Sequence, residues 1–464
     1  MQPSQQEKKF LTMTTAPLEK LILKLAVPTM ISMMITSIYN MADTFFVGRI
    51  SGGAAEATSA TAAVGVAYPL MAVIQAFGFM FGHGSGNFIS RALGSQQTED
   101  AERMAATGFF SALIAGMLLT ALGLLFLEPL VRLLGSTDTI LPFALSYVRL
   151  ILIGCPWMTA SLVLNNQLRF QGNALFGMVG IVSGGVINMF LDPLLIFVLD
   201  MGVSGAALAT IISQGIAFCL LYAGMWKSDN LKIRLKNFTP RPRFFAEMFK
   251  GGAPSLFRQG IGSVSTTMLN NAAAAFGDPA IAAMSIVSRV MMFANSLVIG
   301  FGQGFQPVCG FNYGARKYDR VRRGFRFCVK YASLFLLCAA VLGEIFAPSI
   351  LGWFRGDDPE VIRIGALALR FQCLTLPAFG FIMIANMMMQ TTAHTFQASL
   401  TALARQGLFF LPLILLLPLF LGLLGIQIAQ PLSDGCTLCL TFLMQRQVMR
   451  DMDRLEKEGP PDPV

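Results

Sequence analysis

In the run Val186-Ile187-Asn188-Met189-Phe190-Leu191-Asp192-Pro193, an amide and a carboxylate stand four residues apart. Positions i and i+4 share one face of a helix, so Asn188 and Asp192 look the same way out of an otherwise apolar segment. The first apolar segment repeats the theme, with Asn40 and Asp43 in Asn40-Met41-Ala42-Asp43. A carboxylate at mid-membrane depth costs roughly 2.5–3.5 kcal/mol on insertion scales, so two in one half of a chain need a compensating role. Burial raises a carboxylate pKa and a second carboxylate raises one of the pair further, so Asp43 and Asp192 can exchange a proton near neutral pH as a unit. Alternatively, the two acids, Asn188 and the hydroxyl of Thr210 supply hard oxygen ligands that suit a small cation such as Na+.

Other polar groups inside apolar runs are weaker candidates. Asp434 has Arg405 on the preceding helix as a ready partner, which favours a structural ion pair. Arg149 and Arg370 occupy matching positions in the two halves and read as scaffold, while Arg258 and Arg289 carry no assigned role. His83 and His394 sit near the cytoplasmic ends of spans, apart from other ligands. Methionines recur in runs, among them Met33-Met34 and Met387-Met388-Met389, and such polarizable surfaces repack around varied apolar ligands. The chain contains no phosphate-cradling glycine loop of the Walker type, no HExxH and no GxSxG. It reads as neither an ATP-driven pump nor an enzyme.

The elements that position these groups follow from composition. The 464 residues are 55% hydrophobic and 13% charged, against about 25% charged in soluble domains, which makes this an all-α polytopic membrane protein lying in the lipid bilayer. Twelve apolar spans are expected near 20–47, 59–82, 104–127, 140–164, 174–199, 203–225, 251–276, 279–305, 326–347, 361–390, 395–418 and 423–444. Of the 34 Lys and Arg, 25 fall in loops, tails and span ends on one side, 4 on the other and 5 within spans. That asymmetry places both termini in the cytoplasm and accounts for the net charge of +9 without a nucleic-acid partner. The first apolar run continues into Asp43 without a cleavage site, so it reads as a retained helix.

The halves repeat. Val27-Pro28-Thr29 matches Ala253-Pro254-Ser255, Gly82-x-Gly84 matches Gly302-x-Gly304, and Arg149 with Pro156 matches Arg370 with Pro377. Six spans per half is an even number, so both halves take the same orientation, a parallel repeat with a binding site expected near mid-membrane. The expected organisation is a cytoplasmic tail (1–19), an N-lobe of six helices (20–225), a basic cytoplasmic linker (226–250), a C-lobe of six helices (251–444) and a second cytoplasmic tail (445–464). Asp192 aligns near Leu411 and Asp43 near Leu269, so the acid pair belongs to the first half alone.

Ala42-Asp43-Thr44-Phe45-Phe46-Val47-Gly48, Arg169-Phe170-Gln171-Gly172-Asn173, Ile187-Asn188-x-x-x-Asp192-Pro193 and Gly310-Phe311-Asn312-Tyr313-Gly314-Ala315 together resemble the multidrug and toxic compound extrusion (MATE) family, and its bacterial DinF-like branch in particular. The resemblance runs from about Leu18 to Gln447. It implies two six-helix bundles, alternating access, and export of small organic, often cationic, drug-like compounds from the cell by antiport with H+ or Na+, without a cofactor, across the plasma membrane. It implies a cation or proton site at Asp43, Asn188, Asp192 and Thr210. It further implies a helix-one kink at Pro28 and a cavity tyrosine at Tyr147. Asn40, Met33 and Gln171 are added as cavity or gating candidates; some relatives have Glu where Gln171 stands. A monomer is the expected state. A lipid-linked precursor flippase of the same superfamily is the alternative, kept open by the intramembrane arginines and disfavoured by the paired aspartates.

Overall fold

The computed structural model describes residues 5–47, 49, 54–226, 230–355 and 358–458; the side chains at 5, 40, 41, 43–45 and 54–61 lie outside the described residues. Nearly every described residue is helical. A bilayer interior offers no water to backbone N–H and C=O groups, and a helix satisfies them within its own segment. The long helices are α1 (Leu18–Val47), α2 (Ala54–Gly94), α3 (Thr98–Leu125), α4 (Leu141–Phe170), α5 (Ala174–Pro193, prolonged by a π-helical turn Leu194–Val198) and α6 (Gly202–Met225). They continue with α7 (Pro242–Ala274), α8 (Asp278–Gly314), α9 (Tyr318–Arg355) and α10 (Pro359–Thr391). The segment α11 consists of Thr395–Leu403 and Phe410–Leu421 joined by a π-helical turn Ala404–Leu408, and α12 is Leu423–Glu458. Ten have the length and hydropathy of membrane spans. The other two, α7 and α12, are as long, but Arg258, Gln259, Asn270 and Asn271 in one and Gln427, Gln430, Ser433 and Asp434 in the other dilute their apolar character.

Several helices overrun the apolar spans. With 41 residues, α2 is about 60 Å long at 1.5 Å per residue, twice the hydrocarbon thickness of about 30 Å. Hydropathy marks only the part in hydrocarbon. Beyond it the helix continues through buried Ser85 and Ser90, whose hydroxyls donate to Phe81 O at 2.7 Å and Asn87 O at 2.9 Å.

Prolines inside these helices free a carbonyl one turn upstream. Pro156 in α4 frees Leu152 O, and Thr120 Oγ1 of α3 donates to it at 2.5 Å. Gly116, also on α3, has no room for a Cβ, which would fall 2.7 Å from Pro156 Cα. The neighbouring helix therefore fits closely around the proline and satisfies the bond it breaks.

The internal repeat is visible in the backbone. Six left-handed residues form matched pairs: Gln96 with Arg316, Gly172 with Ala393, and Gly202 with Gly422. Each closes a helix or opens the next at equivalent points of the two halves.

The chain divides into two compact units, residues 1–12 with 27–252 and residues 13–26 with 253–464. This differs from a division at 225 and 251. Residues 13–26, the start of α1, belong to the second unit, where Gly304 of α8 meets Ala26 so closely that a Cβ would fall 2.3 Å from its Cα. The start of α7 belongs to the first unit in the same manner, and a Cβ on Gly84 would fall 2.0 Å from Met248 O. Both boundaries fall just before the repeat-matched prolines, Pro28 and Pro254. The stretch 230–252 is packed rather than free, with Leu231, Ile233, Phe244 and Met248 buried.

Candidate functional site

Glycines let α5 approach its neighbours. A Cβ on Gly180 would fall 2.5 Å from Leu221 of α6, and one on Gly185 3.1 Å from both Ile35 and Tyr39 of α1. Further along, the Phe46 and Phe197 rings meet edge to face with centroids 6.4 Å apart. These two contacts between α1 and α5 bracket residue 43 on one helix and residues 188 and 192 on the other.

Within that bracket Asn188 and Asp192 are 3% and 0% exposed. Asn188 Nδ2 donates to Asp192 Oδ1 at 3.3 Å, which fixes the amide so that Oδ1 points away. That Oδ1 is buried without a hydrogen-bond partner among the described residues. A buried carbonyl oxygen costs about 1–3 kcal/mol when unsatisfied, and a proton donor or cation beside the carboxylate would remove that cost. Thr210 of α6 is buried, its hydroxyl donating to Ala206 O at 3.1 Å, which leaves its lone pairs available. Asp43 and Asn40 lie on α1, but their side chains are outside the described residues.

The remaining candidates are dispersed. Pro28 and Met33 are half-buried on α1. Tyr147, expected at a cavity, is instead fully enclosed in an apolar core with Val148, Ile151 and Leu152 of its own helix and Ile196 from the end of α5. Gln171, expected as a cavity or gating residue, is also buried: its Oε1 accepts from Leu231 N at 2.7 Å and its Nε2 faces Met225 Sδ at 3.8 Å. It anchors the chain leaving α6, which explains how an uncharged side chain serves there.

His83 is buried. Its Nδ1 lies 3.2 Å from Phe79 O and its Nε2 3.2 Å from Arg169 Nη2. A guanidinium can only donate, so Nε2 accepts, Nδ1 carries the proton, and the ring is neutral. Arg169 also donates to Asn166 Oδ1 at 2.6 Å. His394 lies 3.6 Å from Asp451 and 2.9 Å from Thr392 Oγ1.

In the second unit Arg405 and Asp434 pair as their charges suggest. Arg405 Nε and Nη2 donate to the two carboxylate oxygens at 2.8 and 3.4 Å, and Gln430 Nε2 donates to Oδ1 at 2.8 Å. The π-helical turn that presents Arg405 is held by hydroxyls: Ser433 Oγ donates to Arg405 O at 2.5 Å and Ser265 Oγ to Gln406 O at 2.6 Å. Arg149 and Arg289 are exposed, and exposed Arg370 donates to Glu344 O at 3.3 Å.

Comparison with known proteins agrees with this architecture. The curated relatives include the multidrug export protein MepA of Staphylococcus haemolyticus, 27% identical over 410 residues and covering 88% of each chain, and MepA of Staphylococcus aureus, 24% identical over 447 residues and covering 95% of this chain and 97% of that one. Among solved structures, a MATE in complex with MaL6 superposes with a TM-score of 0.89 at 24% identity, covering 96% of this chain and 99% of that one. An outward-facing multidrug resistance MATE transporter of the MOP superfamily also gives 0.89 at 24%, covering 96% and 98%. The MatE family model matches twice, over residues 28–194 and 254–416, so that each copy begins at one of the repeat-matched prolines. With both halves of the repeat accounted for, the chain belongs to the MATE family.

Proposed function

We propose that this chain is a secondary active multidrug exporter, moving small organic, often cationic, compounds out across the plasma membrane by antiport with H+ or Na+, with both termini in the cytoplasm. Its resemblance to MepA exporters over nearly the whole chain supports the transport class. The observation that carries the coupling reading is the unsatisfied Asn188 Oδ1 held beside buried Asp192.

In this reading Asp192 takes the proton, or joins Asn188, Thr210 and Asp43 around Na+. Either event cancels a buried negative charge, and the orphaned amide oxygen gains a partner. The loss of charge changes the packing of α1, whose glycine-mediated contact with α5 is at Ile35 and Tyr39, and weakens drug binding in the outward-open state. The driving force is the difference in cation affinity between inward- and outward-open states. The test is ethidium accumulation in pump-deficient bacteria at matched membrane expression of the parent, Asp43→Asn, Asp192→Asn and Asn188→Leu. The parent lowers accumulation and the three variants do not. Undiminished efflux by Asp192→Asn refutes the coupling site, and a parent without effect on ethidium or other cationic dyes refutes the exporter reading.

A further inference from the structure

At one end of the second unit, where α9 begins and α12 ends, Arg322 joins the two helices by donating to Asp453 Oδ1 at 2.6 Å and to Glu456. Inward of this bridge, residues 324–334 of α9 and 440–450 of α12 include no acid. Arg326 stands one turn along α9 on the face of Arg322, with Lys330 a turn further, and Arg446 stands two turns along α12 on the face of Asp453. At 1.5 Å per residue, Lys330 lies about 12 Å from the bridge and Arg446 about 10 Å, so their charges stand at one level. All three side chains are exposed. The neighbouring acids are engaged elsewhere: Asp453 and Glu456 by Arg322, Asp319 by Arg323, and Asp451 lies 3.6 Å from His394. Among the described residues no carboxylate pairs with Arg326, Lys330 or Arg446.

Aromatic rings hold this surface. Phe381 of α10 lies between Phe325 and Phe442, with ring centroids 6.1 and 6.3 Å away. Arg446 sits over the Phe442 ring at 5.2 Å and Lys330 over the Tyr331 ring at 5.9 Å. Further inward the exposed side chains are apolar, Leu334 on α9 and Leu443 on α12. From the end of the unit inward the order is cation, aromatic ring, hydrocarbon, which is the order of headgroup, interface and acyl chain in a bilayer. The first unit fills its equivalent surface with its own chain. By the offset that relates Gln96 to Arg316 and Gly202 to Gly422, Arg326 and Lys330 correspond to Ala106 and Phe110 of α3, and Phe442 and Arg446 to Tyr222 and Trp226. There α6 ends at Met225 and the chain folds back over α3. Phe238 meets Phe110 with centroids 5.7 Å apart, Asn237 Nδ2 donates to Glu102 Oε2 at 3.1 Å, and Thr239 N donates to Thr107 Oγ1 at 3.2 Å. In the second unit α12 continues to Glu458 instead, and the matching positions stay exposed and charged.

We propose that an anionic phospholipid, from the leaflet at this end of the unit (cytoplasmic in the orientation proposed above), takes the place that the folded-back chain fills in the first unit. Its phosphate lies among Arg326, Lys330 and Arg446, and its acyl chains run along Leu334 and Leu443. Charge complementarity sets the occupant: three cations without acids face one another, and a headgroup with net negative charge relieves their repulsion where a zwitterionic one does not. The site is independent of the export reading, because binding is measured without transport.

The test is native mass spectrometry of the purified full chain in a neutral detergent, titrated with phosphatidylglycerol, phosphatidylcholine or glycerophosphate. The first phosphatidylglycerol binds about tenfold more tightly than phosphatidylcholine. Arg326→Gln with Lys330→Gln and Arg446→Gln brings the two lipids within about twofold of each other. Arg234→Gln with Lys236→Gln and Arg243→Gln, an equal loss of exposed charge in the first unit, leaves the preference intact. Equal affinity for the two lipids in the unmodified chain overturns the proposal whatever the variants do. An undiminished preference in the folded second-unit variant overturns it too, as does an equal loss in the first-unit variant. Displacement of phosphatidylglycerol by a comparable concentration of glycerophosphate overturns the lipid as occupant and assigns the surface to soluble phosphates.

Discussion

Replacing Asp434 with Asn tests whether the Arg405–Asp434 pair is a structural element of the second unit. The carboxylate side chain is 6% exposed and the guanidinium 18%, so solvent screens the pair little. Asp434 accepts three hydrogen bonds, two from Arg405 and one from Gln430. Asparagine keeps the shape and one oxygen, but it leaves Arg405 charged with no anion. Breaking a buried pair by removing one partner costs about 3–5 kcal/mol. Phe379 remains against the guanidinium in the variant, which places the loss near the lower end, about 3 kcal/mol. At about 2–4 °C per kcal/mol for a unit of roughly 200 residues, the midpoint falls by about 6–12 °C. Thermal denaturation of the purified protein, followed by the size-exclusion monomer peak, measures it. Arg405→Met with Asp434→Leu removes both charges and returns the midpoint to within about 1 kcal/mol of the parent, since an apolar replacement of a buried pair is often neutral. A shift below about 2 °C in Asp434→Asn, or a double variant as unstable as the single, refutes the reasoning.

The same thermal assay checks four other positions. Gly84→Ala places a methyl 2.0 Å from Met248 O, forces the start of α7 away, and costs about 1–3 kcal/mol or more; Gly260→Ala, with open space around it, is neutral or stabilising by up to about 1 kcal/mol. Thr120→Val leaves Leu152 O, already freed by Pro156, without its donor, and lowers stability by about 1–3 kcal/mol. Ala393 is left-handed at φ 63° where its repeat partner is Gly172, so Ala393→Gly raises stability by about 0.5–1 kcal/mol. Gln171→Ala removes the acceptor for buried Leu231 N, and trypsin then cuts faster at Lys232 and Arg234 than in the parent.

Much of this molecule can be read from hydropathy, because membrane helices must be apolar for about 20 residues and because charge asymmetry orients them. The i, i+4 spacing of Asn188 and Asp192 put both on one face, and charge balance alone paired Arg405 with Asp434. Three features were not legible for physical reasons. Helix ends continue in polar sequence once hydrocarbon is left behind, so the ends of α2 escaped. Gln171 and Tyr147 bury themselves by contacts with residues 60 and 49 positions away, Leu231 and Ile196, and no local periodicity encodes such partners. The small cleft that Arg258 lines, between α7, α10 and α11, requires three helices to converge, with a π-helical turn that departs from regular helix geometry bringing Arg405 to its wall.

The repeat turns these omissions into an argument about function. The two halves share left-handed turns, kink prolines and close glycine contacts, so their backbones are equivalent. Their ionisable side chains are not. Asp192 aligns near Leu411, and Arg258, by the offset that relates Pro28 to Pro254, aligns with Ser32, whose hydroxyl donates to Pro28 O at 2.9 Å. The shared backbone therefore does not account for the buried acid of the first unit, and the coupling site proposed above gives it a role. Exchanging it for its repeat counterpart, Asp192→Leu, should abolish ethidium efflux while the protein still reaches the membrane, and undiminished efflux refutes that role.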